Sequence, residues 1–202
     1  MLKVGLTGSI AVGKSFVLGA LAELGCHVLD ADATAREVVA PGTPGLKAVI
    51  DAFGDDILSA DGTLDRTKLG AIVFADEARR LQLNSILHPF IIAAQDKQMR
   101  DWETEYPQGI AVVDAALMIE SGGYRRFDKL VVVHCRPEVQ LQRLMSRDAI
   151  SRVEAEQRIG AQMAQEDKRR YGDFLIDTSE GFEDTRQRTE KVFQKLSELR
   201  RM

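Results

Sequence analysis

The sequence predicts an α/β fold built on a five-stranded parallel sheet, and three observations lead there. Short runs rich in Val, Ile and Leu, without strict alternation, recur at five places, the pattern of parallel strands covered on both faces. Helix-like segments separate them, so strand and helix alternate along the chain. A glycine-rich motif stands between the first predicted strand and the first predicted helix, where phosphate-binding loops occur.

Lys3–Thr7 reads as the first strand. Gly8-Ser9-Ile10-Ala11-Val12-Gly13-Lys14-Ser15 follows and matches G-x-x-x-x-G-K-[ST]. Glycines allow a tight turn with inward N–H groups, and the helix N-terminus adds partial positive charge. Lys14 is the expected partner of the β- and γ-phosphates, and the Ser15 hydroxyl a Mg²⁺ ligand. A helix over Lys14–Leu24 and a strand over His27–Asp30 come next.

The interval from there to the strand at Ile110–Asp114 is about 80 residues, against ~30 for a simple crossover. Its pattern is mostly helical. Asp32–Val39 reads as one helix. Thr43-Pro44 caps a second that reaches Phe53, with Gly54 as its stop. Ala60-Asp61-Gly62 reads as a turn. Thr67–Phe74, Asp76–Leu87 and Pro89–Tyr106 read as three further helices. Beyond Asp114 the pattern gives a strand over Lys129–Cys135, helices over Pro137–Arg147 and Ser151–Gln165, a strand over Phe174–Asp177 and an amphipathic helix over Asp184–Arg201. The long interval reads as a helical insertion at the C-terminal edge of the sheet, where ligands bind in open α/β folds. A plain extra packing layer is the alternative.

Composition narrows the function. Of the 202 residues, 45% are hydrophobic and 29% charged, the balance of an ordinary globular protein. No apolar stretch approaches the ~20 residues of a membrane helix, and no secretory signal is expected. Two cysteines, Cys26 and Cys135, cannot make a disulfide framework, so a reducing cytoplasm is expected. The net charge of −4 argues against a broad nucleic-acid surface. The only asparagine, Asn84, precedes Ser85, so the N-K-x-D guanine signature is absent. A small-molecule kinase is the natural remainder.

Several side chains fit phosphoryl transfer. Asp30 and Asp32 lie at the C-terminal end of a strand beside the loop, where an acceptor hydroxyl needs a group to orient it and take its proton. Asp32 also suits a helix N-cap, and both roles can coexist. Asp114 ends the third strand and either joins a Mg²⁺ shell or is an ordinary strand-end aspartate. Arg143 and Arg147 share a helix face and suit a lid over phosphates. Arg152, Arg158 and Lys168-Arg169-Arg170 extend the basic zone. Asp148, Glu154 and Glu156 are interspersed, so that larger group reads as a solvated, paired helix surface. His27, His88 and His134 lack zinc-ligand spacing. Trp102 reads as packing.

Taken in order, these pieces resemble the dephospho-coenzyme A kinase family along nearly the full chain. They are Gly5-Leu6-Thr7-Gly8, Asp30-Ala31-Asp32, Pro41-Gly42, Leu87-His88-Pro89 and the segment 114–122. Arg143–Asp148, Arg158–Met163 and Phe174–Ser179 complete the set. The resemblance implies a P-loop kinase core over residues 1–30 and 107–202, with a lid at about 140–170. A CoA-binding helical insertion would span 31–106. It implies ATP-dependent phosphorylation of the ribose 3′-hydroxyl of dephospho-CoA, the last step of coenzyme A synthesis, with Mg²⁺.

Carried onto this chain, Asp32 is the base and Arg143 and Arg147 are lid arginines. The nucleotide set is Gly8, Ser9, Ile10, Ala11, Val12, Gly13, Lys14, Ser15 and Phe16. Ser15 serves the metal, with Asp114 as the second candidate ligand from its strand-end position, and His88 lies on the substrate side. The expected partners are ATP and dephospho-CoA only, with neither nucleic acid nor membrane, in a monomer or small homo-oligomer. Ser9 and Ala11 replace glycines common in the family loop. Ala116, Met118 and Ile119 replace Pro, Leu and Phe ahead of Glu120. Thr178 replaces an asparagine beside the adenine, and Arg36 falls where the family carries Arg or His. Two rivals remain at this stage: a kinase for another small acceptor, and a nucleotide-binding regulator without transfer chemistry.

Overall fold

The computed structural model describes residues 1–200. Five strands form one parallel sheet in the order β2-β3-β1-β4-β5. They are β1 (Leu2–Thr7), β2 (His27–Asp30), β3 (Ile110–Asp114), β4 (Lys129–His134) and β5 (Phe174–Asp177). The register pairs Leu6 of β1 with Asp114 of β3, and Asp30 of β2 with that same Asp114. The C-terminal ends of β1, β2 and β3 therefore finish level.

The chain divides into two compact units, Met1–Asp30 with everything from Trp102 onward, and Ala31–Asp101. The first holds the sheet. Val4, Leu6, Ile110, Val112, Val131 and Val133 form its buried centre. Helix α1 (Lys14–Glu23) adds Val17 and Leu21, and the C-terminal helix Phe182–Leu199 adds Val192 and Leu196. The predicted end of that last helix, Arg201, lies outside the described residues. Cys26 and Cys135 are buried free thiols, and burial pushes the Cys26 thiol pKa up to about 12. Trp102 stacks on His27 with ring centroids 5.2 Å apart.

The second unit has its own core of Val39, Leu46, Val49, Ile57 and Leu69. It contains α2 (Ala31–Glu37), α3 (Pro44–Phe53), α4 (Arg66–Ala75) and most of α5 (Glu77–Glu105). Thr43 caps α3 by accepting from the Leu46 N–H at 3.2 Å, Pro44 opens the helix, and Gly54 ends it at φ +85°. Asp65 caps α4 by accepting from the N–H groups of Thr67 and Lys68, both at 3.0 Å.

Three expectations about helices need correction. Asp32 is not an N-cap: α2 begins at Ala31, directly after β2, and Asp32 stands inside its first turn. The two helices predicted on either side of His88 are one, α5, with Pro89 inside it. Leu83, Ile86 and Leu87 pack on the second unit's core just before the proline, which offsets part of the ~3 kcal/mol a mid-helix proline costs. The single helix predicted over Ser151–Gln165 is two, α7 (Arg152–Gly160) and α8 (Gln165–Arg169). Ser151 and Glu154 form a capping box at the start of α7. At its end the Ala161 and Gln162 N–H groups still donate back to the Gln157 and Ile159 carbonyls, and Met163 then turns its N–H to Glu120.

Candidate active site

The phosphate loop begins where β1 ends. Gly8 must be glycine, because a Cβ there would lie 2.4 Å from the Val133 carbonyl oxygen. Ala11 (φ +61°) and Gly13 (φ +89°) are both left-handed. Gly13 adopts this freely, whereas Ala11 pays about 1–2 kcal/mol for it. The helix α1 then starts at Lys14, with the N–H groups of Phe16 and Val17 donating to the Gly13 carbonyl at 3.2 and 3.4 Å. The loop thus meets a helix N-terminus, whose dipole favours an anion. Lys14 Nζ lies 3.5 Å from Asp114 Oδ1, and both side chains are largely buried.

Helix α6 (Pro137–Asp148) stands over this loop. The loop residues Ser9 and 11–15, with Arg143 and Arg147 of α6, line a cavity of about 620 Å³. That volume suits a nucleotide-sized ligand. Arg143 is held rigidly: Nη1 donates to Thr178 Oγ1 at 2.9 Å and Nη2 to the Thr178 carbonyl at 2.8 Å. The Thr178 hydroxyl in turn donates to the Val12 carbonyl at 2.7 Å. One buried hydroxyl therefore ties the guanidinium to the loop. Arg147 donates to Asp148 at 2.7 Å, and Arg158 donates to the same carboxylate at 2.7 Å. The Arg147 hydrogen bond is the largest influence holding the Asp148 carboxyl below its usual range.

Thr178→Val is expected to raise the KM for ATP about tenfold, the scale of one lost hydrogen bond to a charged group. Thr178→Ser should restore it. Steady-state kinetics at varied ATP check this, and a normal KM in the valine variant would leave Arg143 positioned without Thr178.

With this geometry in place, comparison with known proteins decides the family. The dephospho-CoA kinase family model matches residues 2–184. The chain belongs to the dephospho-CoA kinase family. A dephospho-CoA kinase of Streptomyces avermitilis is 44% identical over 197 residues, which cover 97% of this chain and 94% of that one. Another, from Geobacter sulfurreducens, is 43% identical over 192 residues, 95% of this chain and 97% of its own. The solved dephospho-CoA kinase of Campylobacter jejuni superposes with a TM-score of 0.74 at 30% identity, covering 97% of each chain. This member of the family is a kinase, and its α/β architecture is that of its solved relative.

The other expected site residues of this kinase fall as follows. Gly8, Ile10 and Phe16 belong to the loop segment but stand outside the cavity wall. The Phe16 ring lies against Phe182, with centroids 4.9 Å apart, and the Arg186 guanidinium stands 5.9 Å from its centroid. Asp32 and His88 are exposed residues of the second unit, in α2 and α5. The outer basic zone is paired as expected in part: Arg152 with Glu156 at 2.7 Å, Arg170 with Asp167 at 3.1 Å.

Lys168 departs from that pattern. It is fully buried, and Nζ meets Glu120 Oε1 at 2.8 Å and the Ala116 carbonyl at 2.7 Å. Glu120 keeps part of its side chain in solvent, so the pair is buried on the lysine side alone, and Lys168 belongs to the scaffold behind the site. Sequence reasoning also passed over Gln140, a buried amide. One signal marked it: Gln140 precedes the buried Leu144 by four residues, so a polar group occupies the apolar face of α6.

Proposed function

We propose that this kinase transfers the terminal phosphoryl group of ATP to the ribose 3′-hydroxyl of dephospho-CoA, giving coenzyme A and ADP. The observation that carries this reading is the convergence of loop residues 11–15 with Arg143 and Arg147 on one cavity, in a chain whose family match spans residues 2–184. The backbone N–H groups of the loop and Lys14 receive the β- and γ-phosphates. Arg143 and Arg147 place positive charge where it develops on the transferring group. The lid formed by α6 to α8 keeps water from the reacting phosphate.

Asp32 orients the acceptor hydroxyl and takes its proton. Its position two residues after β2, in the first turn of α2, supports that role. The unit Ala31–Asp101 receives the CoA moiety, and His88 belongs to that side. Its separate hydrophobic core supports an independent substrate-binding role.

A hydroxyl and a carboxylate fit Mg²⁺, which keeps waters and substrate phosphates as its other ligands. Ser15 and Asp114 would hold it, and the ion would neutralise charge on the β- and γ-phosphates. Among the described residues no helix is long and apolar enough to cross a membrane. The cytoplasmic setting is part of the proposal, and the unpaired thiols Cys26 and Cys135 suit a reducing compartment.

A coupled assay of ADP release tests the reading. Release should depend on dephospho-CoA. Release driven by nucleoside monophosphates but not by dephospho-CoA would replace the acceptor, and release independent of any acceptor would remove the transfer reaction.

A further inference from the structure

Ile10 sits among residues that line the phosphate cavity yet does not line it, and side chains take both of its backbone polar groups. Its N–H donates to Gln162 Oε1 at 2.8 Å, and its carbonyl accepts from Gln140 Nε2 at 2.8 Å. Gln140 Oε1 then accepts from Gln165 Nε2 at 2.7 Å. Gln165 Oε1 accepts from the Cys135 N–H at 3.0 Å, just past the end of β4. This series runs from a backbone N–H, which can only donate, to a backbone carbonyl, which can only accept. Each amide between them has one orientation that satisfies both neighbours.

The direction has a consequence inside the loop. In a trans peptide the carbonyl and the following N–H point opposite ways. Holding the Ile10 carbonyl on Gln140 therefore turns the Ala11 N–H away from α6's amide, in the residue that opens the cavity-lining run 11–15. Ala11 is also the left-handed, non-glycine residue of the loop, a conformation that persists only when its surroundings enforce it.

The turn that carries Gln162 is itself moored. Its Met163 carbonyl accepts from Ser9 Oγ at 3.4 Å, and the Met163 N–H donates to Glu120 Oε1 at 3.2 Å. Glu120 is the partner of the buried Lys168. These bonds tie the turn between α7 and α8 to the loop and to Glu120.

We propose that Gln140 and Gln165 are positioning residues of the phosphate loop. Gln165 sets the orientation of Gln140, and Gln140 holds the Ile10 peptide so that the Ala11 N–H is aimed at the nucleotide phosphates before ATP arrives. Donors fixed in advance stabilise developing charge without reorganising during the reaction. The proposal rests on the phosphotransfer reading above and adds to it the residues that preset the loop.

Three variants test it at pH 8, read by the dissociation constant for ATP without acceptor and by kcat and KM for both substrates. Gln165→Glu keeps an acceptor for the Cys135 N–H but turns a second oxygen on Gln140. Gln140 must then face either that oxygen or the Ile10 carbonyl with its own. Gln165→Met removes the head group and leaves Gln140 free to hold Ile10. Gln140→Met removes the donor to Ile10 directly. Gln165→Glu and Gln140→Met should each weaken ATP binding and lower kcat by about tenfold, the scale of one lost hydrogen bond. KM for dephospho-CoA should stay within about twofold, and Gln165→Met should lose about threefold or less in ATP affinity.

Loss in Gln165→Met equal to that in Gln165→Glu would reduce Gln165 to packing and overturn the proposal. So would ATP binding within about twofold of the unaltered protein in both Gln165→Glu and Gln140→Met. An unaltered protein that binds ATP but shows no dephospho-CoA-dependent ADP release would instead overturn the acceptor assignment. The binding arm would still decide the role of the glutamines.

Discussion

Asp32→Asn is expected to lower turnover by about 10²-fold or more while ATP affinity stays within about twofold. Asparagine keeps the size of the side chain and can still accept a hydrogen bond from the acceptor hydroxyl. It cannot take the proton as the new phosphate ester forms. The local fold should survive, because Asp32 is an exposed residue inside the first turn of α2 and not the residue that caps it. A negative side chain there gains at most about 1 kcal/mol from the helix dipole. A large loss of kcat with normal ATP binding is therefore a chemical effect and not a stability effect. Parallel measurement of acceptor-dependent ADP release and ATP binding separates the two. Turnover near that of the unaltered protein would reduce Asp32 to a favourable first-turn charge and send the search for a base elsewhere.

The parts of this molecule legible in its sequence are those set by local pattern. The five strands are apolar runs bounded by glycine or charge, and their order along the chain follows directly. The phosphate loop is legible because a left-handed Gly13, a close-approach Gly8 and a helix-starting Lys14 each require one residue type at one spacing. The thermodynamic cost of Ala11 was invisible, since alanine is permitted by the motif and only the backbone reveals φ +61°.

What escaped the sequence is long-range. Lys168 looks like one of three consecutive surface cations. Its burial is decided by Glu120 and the Ala116 carbonyl, 48 and 52 residues away in the chain. The turn between α7 and α8 is tied to Ser9, Ile10 and Glu120, more than 40 residues away in the chain. Pro89 fails to stop α5 because the second unit's core holds the turns before it. The same limit applies to roles: Arg143 and Arg147 share a face by spacing alone. That Thr178 fixes one, while Asp148 engages the other, follows only from the fold.

Lys14→Ala should have the larger effect on ATP itself, with kcat/KM for ATP falling by about 10³-fold, the upper scale for removing one preorganised charge at a transferring group. Two losses combine. On the proposed reading the ammonium no longer meets the β- and γ-phosphates, and Asp114 loses the cation 3.5 Å away. Asp114 is buried at the end of β3, so its negative charge would then face incoming phosphates with less compensation. Both effects oppose ATP binding, which distinguishes this variant from Asp32→Asn.

Lys14→Arg is not expected to rescue it, because a planar fork does not reproduce a compact point charge in a loop shaped around one. Binding of ATP by calorimetry, followed by single-turnover measurement at saturating ATP, divides the loss between ground state and transition state. If only binding suffers, Lys14 anchors the nucleotide. If the single-turnover rate falls as well, it also stabilises the transferring phosphoryl group. An unchanged rate and affinity would remove Lys14 from the site, and with it the assignment of the loop as the nucleotide cradle.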